Sequence, residues 1–359
     1  MSSLTEIIDC PVIIHPGFPK AGSTFLQTEF LYQVPKTLYI GIPLPRFPKE
    51  DTVDYKILNF FNDLKEFLFF IDEEKFNKVK DYKIKNLQDS LRDIIDSIGI
   101  NNINQIIYTD KALTEISSET IVNRSKKVDR LTLLFKDPYF LFVIRRQDHF
   151  IESLYGGYIK NKNILHPFCK FKEFIENAYD QEINKISIKK SIKNQKNFLN
   201  IKSKKYLRIS VGYNRTLELP KYNKVISYYE NNFNKSRIQV LLFEDLISKE
   251  RFELDRLPIK FNFDHIKNRN IQSTNPRPST YRYFHLKLRN FFVFDIIFRI
   301  INKLYIDKIL IKIFPILGRR KKFIWESEIR NNILELYKSG NIEILKKYNL
   351  DLKNKRYPL

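Results

Sequence analysis

The chain has 359 residues, with 63 Lys and Arg against 41 Asp and Glu, a formal charge of +22. With 43% hydrophobic and 14% aromatic residues, it is too rich in Phe, Ile, Leu and Tyr to be disordered as a whole, and it is long enough for one large domain or a domain with an appendage. Two cysteines, Cys10 and Cys169, and five scattered histidines exclude a disulfide scaffold and offer no spacing for structural zinc, so no metal is expected.

Pro11 to His15 reads as a short buried strand, Val12-Ile13-Ile14, followed by the turn Gly17-Phe18-Pro19-Lys20-Ala21-Gly22-Ser23-Thr24. From Ser23 to about Tyr32 the pattern is helical, with Phe25, Leu26, Phe30 and Leu31 on one face. Thr37 to Pro48, with Pro43, Pro45, Pro48 and nearby Pro35, reads as an irregular loop. Residues 55 to 97 have the period of solvent-faced helices, Ile103 to Thr109 reads as a second strand, and Glu119 to Phe135 as a helix.

Tyr139 to Ile144 is the strongest strand in the chain. It is aromatic and aliphatic throughout and uncharged, as a strand buried on both faces of a parallel sheet requires. Gln147 to Lys160 returns to helix, and a helix around Tyr222 to Phe233 precedes a further strand, Arg237 to Phe243. Strands alternating with helices predict an α/β fold, a P-loop-like doubly wound parallel sheet flanked by helices. Phe291 to Ile313 reads as an amphipathic helix packed on the domain, which divides the chain into an α/β domain over 1–290 and a helical C-terminal extension over 291–359.

The turn after the first strand suits an anion. Unsatisfied backbone N–H groups at a helix start attract negative charge, Lys20 adds a full positive charge, and Ser23 and Thr24 offer hydroxyl donors. A Walker loop places its lysine next to the hydroxyl residue; here Lys20 lies three residues before Ser23, which opposes an ATPase or kinase. Arg145 closes the strong strand, where α/β folds place ligands, and Ser153 follows eight residues on, about two helical turns away. A guanidinium fork matches a phosphate dianion.

Gly17, Pro19, Lys20, Gly22, Ser23 and Thr24 resemble the 5′-phosphosulfate loop of the sulfotransferases that use 3′-phosphoadenosine 5′-phosphosulfate (PAPS), including bacterial and glycan-type members. The Arg145-to-Ser153 spacing resembles that family's 3′-phosphate element, although Arg146-Gln147 stands where the family usually has Asn-Pro. Val240 to Leu246, with Glu244-Asp245-Leu246, and the tail from Asn341 to Leu359 are similar to other family segments. The resemblance implies transfer of a sulfuryl group from PAPS to a hydroxyl or amine of a carbohydrate or glycolipid, with PAP as product. Residues 17–24, including Ala21, would bind the phosphosulfate, and Lys20 would stabilise charge on the leaving oxygen. Tyr108-Thr109-Asp110-Lys111 resembles the Glu-Lys-Ser element of glycan sulfotransferases, which makes Asp110 and Lys111 candidates beside the reacting groups. His15, Glu29 and Glu115 are further candidates for the base.

Gly318-Arg319-Arg320-Lys321-Lys322 is the densest basic cluster, and Arg319 and Arg320 resemble a basic loop that approaches the 3′-phosphate. Lys185, Lys189, Lys193 and Lys196 recur at helical spacing, a solvated face or a surface for an acidic glycan acceptor. No stretch is long and apolar enough to span a bilayer, the N-terminus has no signal-peptide pattern, and reduced thiols fit the cytoplasm. A helix lying in the membrane surface at 291–313, beside the basic cluster, is the alternative, giving a peripheral cytoplasmic protein. The competing functions are a non-Walker nucleoside or sugar kinase and a basic nucleic-acid-binding protein. The second lacks any recognisable module, so no nucleic acid is expected.

Overall fold

Five short runs of branched and aromatic residues pair into one parallel sheet. A computed structural model describes residues 10–41, 55–115, 122–160, 170–183, 216–248 and 322–359, with single positions at 4, 7, 257 and 258. The strands are β1 (Val12–His15), β2 (Thr37–Gly41), β3 (Gln105–Thr109), β4 (Tyr139–Ile144) and β5 (Ile238–Leu242). Their order is β2-β3-β1-β4-β5, every neighbouring pair parallel. β1 is therefore central, and the chain winds from it first to one side and then to the other.

The helices are α1 (Ser23–Glu29), α2 (Tyr55–Lys65), α3 (Glu73–Ile98), α4 (Arg124–Leu134), α5 (Gln147–Lys160), α6 (Phe171–Ile183), α7 (Tyr222–Asn232), α8 (Phe243–Ser248) and α9 (Ser327–Tyr348). Alternate residues of each strand face opposite ways, so each strand feeds two cores. Val12, Ile14, Phe140 and Phe142 meet α2, α3, α4 and α7 on one face. Ile13, Ile107, Leu141 and Val143 meet Phe25 and Leu26 of α1 on the other. The two-sided burial read from Tyr139 to Ile144 follows directly from this arrangement. A third cluster joins Phe150 and Tyr155 of α5, Phe174 of α6, and Phe323, Ile333 and Tyr337 near and on α9, so the C-terminal helix is packed on the domain.

One element departs from the sequence reading. Thr37 to Gly41, expected as loop, is the edge strand β2, in register with Gln105 to Thr109. Leu38, Tyr39 and Ile40 are good strand formers and all are buried. The prolines that suggested a loop stand outside the strand, Pro35 before it and Pro43 after. The expected helix from Ser23 ends at Glu29 and passes into a 3₁₀ turn, Leu31–Gln33. The helix expected over 119–135 is described from Arg124, where the Asn123 side chain accepts from Lys126 N at 3.0 Å as its cap. The domain boundary at 290, the stretch 291–313 and the lysines at 185–196 lie outside the described residues.

Candidate active site

The carboxyl ends of β3, β1 and β4 lie side by side, and each runs into a segment the sequence marked. After β1 the backbone reverses through Lys20, at φ 64, and Gly22, at φ 84. A left-handed lysine is uncommon, and the surrounding contacts hold it. Gly22 is required twice over: its φ suits glycine, and a Cβ there would lie 2.4 Å from the Phe243 ring. Among the described residues no side chain caps the start of α1. The Ser23 hydroxyl instead donates to Phe18 O at 2.9 Å, bracing the loop from within, while Thr24 is exposed. Pro19 is half-buried and Ala21 buried in the same turn.

Arg145 leaves β4 and turns onto this loop. Its NH1 donates to Lys20 O at 2.9 Å, and its guanidinium lies 4.5 Å from the centre of the Phe243 ring. Tyr222 on α7 fixes the backbone: its hydroxyl donates to Arg145 O at 2.7 Å and accepts from Arg145 N at 3.3 Å. The Tyr222 ring also meets Phe18 of the loop edge-on, with centroids 4.8 Å apart. Arg145 Nε is buried without a hydrogen-bond partner among the described residues. Burial lowers the Arg145 pKa, opposed chiefly by Glu244, so the guanidinium is a poorly solvated cation. Arg146 turns away. It binds Asp148 at 2.7 Å, and Asp148 is shared with Arg330 of α9. Among the described residues, Arg145 is the arginine of the two that bonds to the loop.

The Lys20 side chain reaches toward α5, where a Cβ on Gly157 would lie 2.6 Å from Nζ. Ser153, half-buried, precedes Gly157 by four residues and so shares its helix face. The loop, Arg145 and the Ser153 face of α5 therefore converge, with Lys20 between them.

His15 ends β1 beneath the loop, fully buried. Its Nδ1 donates to Leu141 O at 2.6 Å, leaving Nε2 unprotonated and without a partner among the described residues. Nε2 faces Gly17, where a Cβ would stand 3.1 Å from it and 2.5 Å from Ser23 Oγ. Burial lowers the His15 pKa to about 4, with the bond to Leu141 opposing. This ring is a packed support of the loop. Its neutral form adds stability that is complete above the unfolded value of 6.5 and is lost as pH falls toward 4. The expected loss is about 3 kcal/mol. Melting temperature followed from neutral pH to pH 4 should fall more steeply in the wild type than in His15→Gln, which carries no titrating ring.

Asp110 follows β3 and is buried. Its Oδ1 accepts from Ala112 N at 2.8 Å, and its Oδ2 has no hydrogen-bond partner among the described residues. Burial raises its pKa, opposed by the Ala112 N–H and by Lys65, Lys111 and Lys127. The turn that follows docks on the anion loop through Thr114 Oγ1, which donates to Gly17 O at 2.9 Å. Lys111, by contrast, is largely exposed, its Nζ 4.0 Å from Glu115. Glu29 sits at the far end of α1, beside Thr28. Arg319 and Arg320 lie outside the described residues. Tyr222, Phe243 and Gly157 were not marked by the sequence, because each acts through packing between segments far apart in the chain.

No protein-family model matches the chain, and no curated protein sequence matches it. Among solved structures, the crystal structure of a sulfotransferase from Alicyclobacillus acidocaldarius aligns over 97% of this chain and 100% of its own, at 12% identity and a TM-score of 0.44. Similarity at that level decides nothing about the chemistry of this chain.

Proposed function

We propose that the protein is a PAPS-dependent sulfotransferase that moves the sulfuryl group to a hydroxyl, or an amine, of a carbohydrate or glycolipid acceptor. The observation that carries this reading is the bond from Arg145 NH1 to Lys20 O, 2.9 Å, between the two segments that resemble the family's phosphosulfate and 3′-phosphate elements. The residues fit a doubly anionic nucleotide. Among the described residues the start of α1 has no side-chain cap, and Arg145 keeps a buried Nε without a hydrogen-bond partner. The loop 17–24 would take the 5′-phosphosulfate, and Arg145 with Ser153 the 3′-phosphate.

Sulfuryl transfer, like phosphoryl transfer, asks the protein mainly to position groups and to stabilise charge on the departing oxygen. Lys20 supplies that charge, and Asp110, whose pKa burial raises, takes the acceptor's proton. The charge of +22 favours an acidic glycan as acceptor. Among the described residues no helix is long and apolar enough to cross a membrane. A cytoplasmic enzyme is the reading we adopt.

PAP should raise the melting temperature, because a ligand bound only by the folded state stabilises it by mass action. ADP should raise it less, lacking the 3′-phosphate assigned to Arg145 and Ser153. Thermal melts with each nucleotide at equal concentration test this. Equal shifts, or a larger one with ADP or ATP, would remove the 3′-phosphate assignment and favour a kinase.

A further inference from the structure

Lys65 is the last residue of α2, and its ammonium stands 3.9 Å from Asp110 Oδ2. That is close enough for attraction and too far for a hydrogen bond. The Lys65 side chain is 30% exposed and that of Asp110 only 3%, so the couple is approached from the lysine's side. A buried carboxylate oxygen left without a donor costs stability, which a ligand hydroxyl would recover.

The surroundings hold this pair in place. The Lys65 ammonium lies 5.2 Å from the centre of the Phe61 ring. α2 then runs into a π-helical turn, Glu66–Phe70, a feature that recurs at functional sites. Buried Arg130 of α4 donates to Phe67 O at 2.9 Å and to Ile71 O at 2.7 Å, fixing that turn. Buried Lys127, also on α4, donates to Ala112 O at 2.7 Å and Glu115 O at 2.9 Å, fixing the Asp110 turn. One helix thus sets Lys65 against Asp110. Because β3 and β4 flank β1 on opposite sides, the pair borders the anion loop on the side away from Arg145.

We propose that Lys65 and Asp110 together form the acceptor-hydroxyl site, Lys65 Nζ donating to the acceptor oxygen while Asp110 Oδ2 takes its proton. This rests on the sulfuryl-transfer reading above. The acceptor oxygen bonds to sulfur, the bond from sulfur to the 5′-phosphate oxygen of PAPS breaks with its electron pair left on that oxygen, and the hydroxyl proton passes to Asp110. Lys65 is then a catalytic residue that the loop and arginine elements do not contain.

Water is the simplest hydroxyl acceptor, so release of labelled sulfate from PAPS, measured beside PAP affinity by calorimetry, is the test. Lys65→Met should lower the release rate at least tenfold with PAP affinity within twofold of wild type, and Lys65→Arg should recover most of the rate. An unchanged rate in Lys65→Met overturns the proposal. Failure of the wild type to bind PAP would instead overturn the sulfotransferase reading itself. A pH series separates contact from mere charge neutralisation. Asp110 faces Lys65 of α2, Lys111 of its own turn, Lys127 of α4 and Tyr108 of β3, so losing Lys65 raises its pKa further. If Lys65 only neutralised Asp110, the variant would regain the wild-type rate as pH rises and Asp110 ionises. Continued impairment there supports contact with the acceptor oxygen.

Discussion

Replacing Lys20 with alanine is expected to lower kcat by on the order of 10²–10³, the usual cost of losing one donor to a developing oxyanion. The charge on the leaving oxygen grows only as sulfur departs, so an ammonium placed there counts mainly in the transition state. Lys20 holds φ 64 and gives its carbonyl to Arg145, and alanine keeps that carbonyl. What the variant removes is the side chain whose ammonium lies against Gly157. Its melting temperature should therefore stay near that of the wild type, and PAP affinity should fall much less than kcat. Steady-state kinetics with PAPS, paired with calorimetric PAP binding, separates the two effects. A variant that lost affinity at unchanged kcat would assign Lys20 to ground-state binding alone.

Arg145→Ala should do the reverse. The 3′-phosphate does not react, so its contact is nearly the same in ground and transition states, and its loss should chiefly raise KM for PAPS. A charge-assisted bond from a poorly solvated guanidinium contributes about 1.5–3 kcal/mol, so PAP affinity should weaken roughly 10- to 100-fold. The same substitution removes the bond to Lys20 O and the guanidinium above Phe243, which loosens the loop and adds a smaller loss in kcat. Arg145→Lys should recover only part of the affinity, because an ammonium cannot hold a phosphate with two parallel bonds. Arg146→Ala is the control. It breaks the pairing with Asp148 and should lower stability more than PAP affinity.

The elements that could be read from the residues alone are those whose signal is local. Tyr139 to Ile144 matches β4 residue for residue, because a run apolar on both faces has few other places in a parallel sheet. Thr37 to Gly41 reads as loop in the sequence because an edge strand of five residues beside several prolines looks like one until its partner, Gln105 to Thr109, is known. The anion loop was legible in its glycines and its lysine. Its left-handed turn at Lys20 was not, since nothing in a lysine announces a positive φ.

The spacing to Ser153 pointed to Arg145, but the separation from Arg146 is a matter of partners. Asp148, itself held by Arg330, draws Arg146 aside, and Tyr222 from a distant helix fixes the backbone of Arg145. Lys65 carried no signal in the sequence. It is one lysine among many on a solvent-faced stretch, and only the fold sets it 3.9 Å from Asp110 Oδ2.

The proposed reaction moves a sulfuryl group from PAPS, with the nucleotide held between residues 17–24 and Arg145. The most direct measurement incubates the purified chain with PAPS labelled in its sulfate and a set of acidic and neutral glycans, following label and nucleotide together. The proposed reaction should place label in a glycan, release an equal amount of PAP, be inhibited by added PAP, and be lost in Lys20→Ala. Label that stays in PAPS with every acceptor, from a chain whose melting temperature PAP does not raise, would contradict it.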